Sequence, residues 1–169
     1  MQKKWLKKLW KVCNLTKIYC DIADIKKIKN FNKKKIVKGF TTNPSLIRKT
    51  GAKNYLNYLK RILKVTKKPV SFEIFADDHK NMILQGIKID NLGKNIYVKV
   101  PVCNSQGIFT GKVIKELNSK NIKLNITAVY DTKQVKNILK NINKKTEVII
   151  SIFAGRMADV GKDPIPVFK

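Results

Sequence analysis

The sequence predicts an α/β fold of repeated βα units around a parallel sheet. From residue 18 onward, short β-branched or apolar runs alternate with longer Lys-rich amphipathic segments, the signature of strands joined by crossover helices. The chain has 169 residues, 43% of them hydrophobic, which suits one domain with a real core and excludes a disordered polycation. No Gly/Ser linker and no sequence repeat of fixed period divides it, so the repetition is architectural.

Six strands are expected. Lys17 to Ile22 carries Asp21 after its apolar start, and Val37 to Thr42 closes on Thr41, Thr42 and Asn43. Val70 to Phe75 splits by alternation into Val70, Phe72 and Ile74 on one side and Ser71, Glu73 and Phe75 on the other. Ile96 to Val102 sets Ile96, Val98, Val100 and Val102 against Tyr97, Lys99 and Pro101. In Lys123 to Val129, Asn125 and Thr127 share a face, as do Ser151 and Phe153 in Glu147 to Phe153. Helical segments between them include Pro44 to Val65, Asp77 to Ile89, Gly111 to Asn118 and Asp131 to Ile142, their starts marked by Ser45, Asp77 and Thr132.

Composition excludes several function classes. The 37 Lys and Arg against 11 Asp and Glu give a net charge of +26. Of these cations 34 are Lys and only Arg48, Arg61 and Arg156 are Arg, whereas base and bidentate phosphate recognition favours Arg forks. Lys, Ile and Asn also share A/T-rich codons, and the lysines are dispersed. A solvated basic surface is favoured over a specific nucleic-acid site. Cys13, Cys20 and Cys103 form no CxxC, and His79 is the single histidine, which argues against a disulfide framework or a zinc site and makes a reducing cytoplasm the default. No apolar run approaches the roughly 18 residues of a membrane span, and the N-terminus lacks the apolar segment of a signal peptide. GxGxxG and GxxxxGK[ST] are both absent.

Residues 1–17 read as a basic amphipathic extension ahead of a domain spanning 18–169. Trp5, Leu6, Leu9, Trp10 and Cys13 recur at helical spacing between lysines. A helix closing one end of the domain, or a non-native extension, is favoured over contact with an anionic membrane surface.

The chemistry lies in the strands. Lys99 is an amine in the middle of an apolar strand, where burial disfavours the ammonium and favours a nucleophile that forms Schiff bases with carbonyls. Snorkelling from an edge strand is the structural alternative, but a sheet covered on both faces leaves it little room. Glu73 is a second charge inside a strand, and all six strands deliver polar side chains, mostly near their C-terminal ends, where closed βα barrels build active sites. One amine, two carboxylates and several hydroxyl and amide groups, with no metal-ligand cluster and no Ser/His pair, point to covalent amine catalysis without a metal or cofactor.

The strings DIADI (21–25), GFTTNPSLI (39–47), VSFEIFADD (70–78), YVKVPV (97–102), LNITAVY (124–130) and SIFAGRMADVGKDP (151–164) resemble, in order and spacing, the short form of the transaldolase family, which includes the fructose 6-phosphate aldolases. The resemblance runs from about residue 18 to 169. It implies a TIM (β/α)8-type barrel acting on ketose and aldose phosphates. By it, Lys99 matches the Schiff-base lysine, Glu73 and Thr127 the pair that positions a proton-shuttling water, and Asp21 the acid/base for the sugar hydroxyl. Asn43 and Asn125 match amides that bind the dihydroxyacetone unit, with Thr42 beside them, Ser151 a hydroxyl of the same pocket, and Arg156 a phosphate-binding arginine. The aldolases carry Gln at the position of Glu73 and Tyr at that of Phe153, so these two residues favour transfer over simple cleavage.

The implied activity is transfer of a dihydroxyacetone unit between sugar phosphates, in the pentose phosphate pathway, by a homo-oligomeric cytoplasmic enzyme. Six strands are counted where the barrel has eight, and the chain stops at DPIPVFK, where the family continues into the last two βα units and a Ser/Arg pair that helps bind phosphate. An incomplete barrel of about six βα units is therefore expected. The alternatives are an aldolase-type lyase and an inactive truncated barrel that serves as a binding module.

Overall fold

The structure, a computed structural model, describes residues 16–168. The proposed amphipathic helix thus lies almost wholly outside the described residues, Cys13 included. Six strands form one sheet in chain order, β1 (Ile18–Asp21), β2 (Val37–Thr41), β3 (Val70–Glu73), β4 (Ile96–Pro101), β5 (Leu124–Val129) and β6 (Val148–Ile152), and every pairing is parallel. The sheet curls into an open half-barrel, an incomplete TIM-type barrel. All six expected strands are present, each shorter than expected by one or two residues.

Eight helices are described: α1 (Ile25–Asn32), α2 (Pro44–Lys49), α3 (Tyr55–Val65), α4 (His79–Asp90), α5 (Gly111–Ser119), α6 (Thr132–Leu139), α7 (Ala154–Asp159) and α8 (Ile165–Phe168). Their apolar residues recur at helical spacing, Tyr58, Leu59 and Ile62 on α3, Met82, Gly86 and Ile89 on α4, Val113, Ile114 and Leu117 on α5, and these are the buried ones. They meet the outer side chains of the strands, among them Phe40, Val70, Phe72, Val98, Val100, Leu124 and Ile126, all fully buried. Each such side chain contributes about 1.5–3 kcal/mol on leaving water.

The single helix expected over Pro44 to Val65 is two. Gly51 adopts φ +77°, the left-handed conformation that stops α2, and Asn54 then caps α3 by accepting the Asn57 N–H at 3.0 Å. Helix starts also fall elsewhere than expected. Asn43, not Ser45, accepts from Leu46 N (2.8 Å); Asp78, not Asp77, accepts from Asn81 N (2.9 Å); Asp131, not Thr132, forms a capping box with Gln134. In each case the capping residue keeps an extended backbone, so its side chain reaches back over the first turn. Asp77, released from capping, accepts from Ser105 N (2.8 Å) and Ser105 Oγ (2.6 Å) and ties the loop after β3 to the loop after β4. Helices α1, α7 and α8 are not among the segments expected from sequence.

Among the described residues the two edges of the sheet are open: β1 pairs only with β2 and β6 only with β5, and Ile18 and Ile152 are 43% and 40% exposed. At the N-terminal end of the inner face, Tyr97 donates to Glu147 Oε2 (2.8 Å) and Tyr19 lies over Gly39, where a Cβ would collide with its ring and stand 2.7 Å from the Pro69 carbonyl. Cys20 and Cys103 are free thiols, and among the described residues no helix is long and apolar enough to cross a membrane.

Candidate active site

Parallel pairing sets the site by register. Glu73 stands opposite Lys99, Lys99 opposite Asn125, Pro101 opposite Thr127, and Asp21 opposite Thr41. Alternation turns Ser71, Glu73, Lys99, Asn125 and Thr127 to the inner face, away from the helices. A cavity of about 780 Å³ opens there at the C-terminal ends of the strands.

Lys99 is buried, 8% exposed, with Nζ 3.1 Å from Glu73 Oε2 and 3.4 Å from the Thr42 carbonyl. Burial pushes the Glu73 carboxyl above the ordinary carboxylate range; the positive charge and hydrogen bond of Lys99 oppose that rise, and the negative charge of Asp21 adds to it. Glu73 is therefore biased toward holding a proton next to an amine. Its carbonyl is fixed by the Tyr55 hydroxyl (2.7 Å), itself pushed strongly upward by burial and then by the Glu73 charge. Asp21 accepts from Thr41 Oγ1 at 2.7 Å.

Asn125, 1% exposed, has both ends of its amide assigned: Ser151 Oγ donates to Oδ1 (2.7 Å), and Nδ2 donates to Ser71 Oγ (3.0 Å), across β4. Thr127 is the contrast. Its Oγ1 is buried with no hydrogen-bond partner among the described residues, a group that a ligand or water in the cavity would satisfy. Phe153 packs edge-on against Tyr130, centroids 5.7 Å apart, and Arg156 Nη1 lies 3.4 Å from Asp159 Oδ2.

Nine of the ten residues expected from sequence line this one cavity: Asp21, Asn43, Glu73, Lys99, Asn125, Thr127, Ser151, Phe153 and Arg156. Thr42 does not. Its side chain is fully buried and donates to the Ser71 carbonyl (3.2 Å), and Thr41 faces the cavity instead, since Asp21 and Thr41 are register partners on the inner side. Thr41 and Ser71 are placed on their strands by the sequence but carry no expected role there, and Tyr55 and Lys49 stand out by no sequence signal. The strand alternation that isolated Glu73 also carries Ser71, and Thr41 and Thr42 are neighbours whose facing depends on where the strand ends.

Chemically, the arrangement offers a buried amine beside a carboxylate able to take its proton, a second carboxylate held by a hydroxyl, and fixed amide and hydroxyl groups around them. That suits condensation of the amine with a carbonyl followed by proton transfers on the bound carbon skeleton. Among the described residues no three His, Cys, Asp or Glu side chains gather as metal ligands.

Comparison with known proteins gives the same direction. The family model described as Transaldolase/Fructose-6-phosphate aldolase matches residues 18–168. A probable transaldolase of Methanococcus vannielii is 33% identical over 147 residues, covering 87% of this chain and 64% of the relative. Probable transaldolases of Bdellovibrio bacteriovorus (35% over 145 residues, 86% and 63%) and Thermoplasma volcanium (35% over 153 residues, 89% and 65%) match similarly. The chain thus spans just under two thirds of the length of the curated relatives it matches. With the match running through every strand and every cavity residue described above, the chain belongs to the transaldolase/fructose-6-phosphate aldolase family.

Proposed function

We propose that this chain carries the site of a transaldolase, which moves a dihydroxyacetone unit from a ketose phosphate to an aldose phosphate through a Schiff base on Lys99. The observation that supports it most is the Lys99–Glu73 pair at 3.1 Å, a buried amine whose neighbouring carboxyl is already shifted toward protonation.

Glu73 takes the ammonium proton, and the neutral Lys99 amine adds to the ketone carbon. Loss of water leaves an iminium. Asp21 accepts the proton of the hydroxyl on the first carbon of the leaving fragment; as that oxygen forms the new aldehyde carbonyl, the electrons of the breaking carbon–carbon bond flow into the iminium, giving an enamine and a free aldose phosphate. Asn43 and Asn125 hold the hydroxyls of the retained unit. The enamine carbon then attacks the carbonyl of an acceptor aldose phosphate, whose oxygen receives a proton from Asp21. Water, held between Glu73 and the unpartnered Thr127 hydroxyl, hydrolyses the new iminium and restores the Lys99 amine.

This reading places the reaction among the sugar phosphate exchanges of the pentose phosphate pathway, in the cytoplasm. Glu73 and Phe153, at the positions where the resembling aldolases have Gln and Tyr, favour transfer over cleavage. The test is reduction with borohydride in the presence of fructose 6-phosphate, followed by peptide mapping. An adduct on Lys99 that disappears in Lys99→Ala is expected, and an adduct that persists in Lys99→Ala would sink the assignment.

A further inference from the structure

Six charged side chains line the cavity: the carboxylates of Asp21, Glu73 and Asp159, and the cations of Lys49, Lys99 and Arg156. Two cations have a carboxylate at hand, Lys99 with Glu73 at 3.1 Å and Arg156 with Asp159 at 3.4 Å. Lys49 is within ion-pair distance of none among the described residues. It ends α2, the short helix that Gly51 stops, and on that helix it shares the cavity-facing side with Ser45 and Leu46, whereas the adjacent Arg48 does not line the cavity.

That difference matters for a phosphorylated substrate. A sugar whose carbonyl reaches buried Lys99 keeps its phosphate toward the open mouth. A phosphate dianion there gains most from a cation with no competing carboxylate. At Arg156 the neighbouring Asp159 repels the dianion, whereas among the described residues no carboxylate stands within ion-pair distance of Lys49.

We propose that Lys49 is a phosphate-binding residue of this cavity and sets its preference for phosphorylated over free sugars. The identity of the sugar rests on the Schiff-base reading above; the contact between Lys49 and phosphate does not. As a compact charge on a flexible stem, Lys49 contributes attraction without the geometric demand of an Arg fork.

The test is limited acetylation of the folded chain, with modification at each lysine mapped by mass spectrometry, run beside the borohydride experiment. Fructose 6-phosphate is expected to slow acetylation of Lys49 while fructose does not, with exposed Lys112 unaffected by either. Protection of Lys112 to the same extent, protection by fructose, or no protection of Lys49 overturns the proposal. If Lys49 is protected but no adduct forms on Lys99, the phosphate contact stands and the Schiff-base reading falls; if the adduct forms and Lys49 stays reactive, the reverse holds. Where trapping occurs, Lys49→Ala should reduce the selectivity for fructose 6-phosphate over fructose by roughly tenfold, the scale of one charge-assisted hydrogen bond. Lys49→Arg should restore most of it, and unchanged selectivity in Lys49→Ala overturns the assignment.

Discussion

The Nζ of Lys99 lies 3.1 Å from Glu73 Oε2, and the two residues are direct register partners across β3 and β4. Parallel pairing thus delivers an amine and a carboxyl to the same level of the inner face without help from any loop. Both side chains are largely withdrawn from water, 10% and 19% exposed, so each offsets the other's desolvation.

Removing one partner should therefore cost more than the pair itself is worth, and the two removals should differ. Glu73→Ala leaves a buried ammonium without its carboxylate, an expected loss of about 3 kcal/mol in unfolding free energy. Lys99→Met leaves a carboxyl that burial already pushes toward the neutral form, and fills the space with a side chain of similar length, so the loss should be smaller. Urea unfolding of the two variants at neutral pH decides it; equal losses would mean that the carboxyl is not poised to neutralise.

The Asn125 amide should be coupled to Ser71. Ser71→Ala removes the acceptor of a fully buried Nδ2–H, with an expected cost of about 1–3 kcal/mol for a stranded donor. In the double variant Ser71→Ala/Asn125→Ala the donor is gone too, so the losses should fall short of additive by about 1 kcal/mol or more. Additive losses in the double-mutant cycle would show that the Ser71–Asn125 bond carries no energy of its own.

What was legible in the sequence follows from contrast. Lys99 and Glu73 stand out because a charge in a β-branched run is costly, and the strands stand out because those runs are short and bounded. Ser71 shows no such contrast: a serine in a strand is unremarkable until a register two strands away places Asn125 against it. Thr41 and Thr42 could not be told apart, since facing depends on one residue of strand length. Lys49 was hidden by the long helix expected over Pro44 to Val65, in which it reads as one more solvent lysine. The stop signal was present in Gly51 and Asn54, and reading it shortens α2 into a piece that borders the cavity.

Acid should loosen the clip between the two loops at the rim. The hydroxyl of Ser105 and then its backbone N–H hold the Asp77 carboxyl below its ordinary value, so the folded form binds this proton less tightly than the unfolded form. The stabilisation is then present above the unfolded value and is lost as pH falls through the folded one. The gap in unfolding free energy between the parent and Asp77→Ala should be widest at neutral pH and close on acidification. Glu73 works with the opposite sign: its raised value means the folded state gains relative stability as pH falls, so it is not a source of acid lability. A parent-to-variant gap that is independent of pH would show the clip to be energetically silent.

The open edges should make self-association depend on salt. Among the described residues strands β1 and β6 each present an unpaired row of backbone groups, and in β6 and the segments that flank it in sequence the apolar side chains of Leu139, Ile152, Val160, Ile165 and Val167 are exposed. Against that attraction stands a net charge of +26, whose repulsion reaches about 30 Å at 0.01 M ionic strength but only about 10 Å at 0.1 M. At low salt the repulsion acts before two edges meet; at higher salt they approach to pairing distance while the apolar contact is undiminished. Sedimentation velocity of the 169-residue chain is expected to show a small species at low salt giving way to larger ones as salt rises. Ile152→Lys, which puts a charge on the β6 edge, should move that transition to higher salt. A monomer unchanged across the series would mean that the edges are protected by something other than charge.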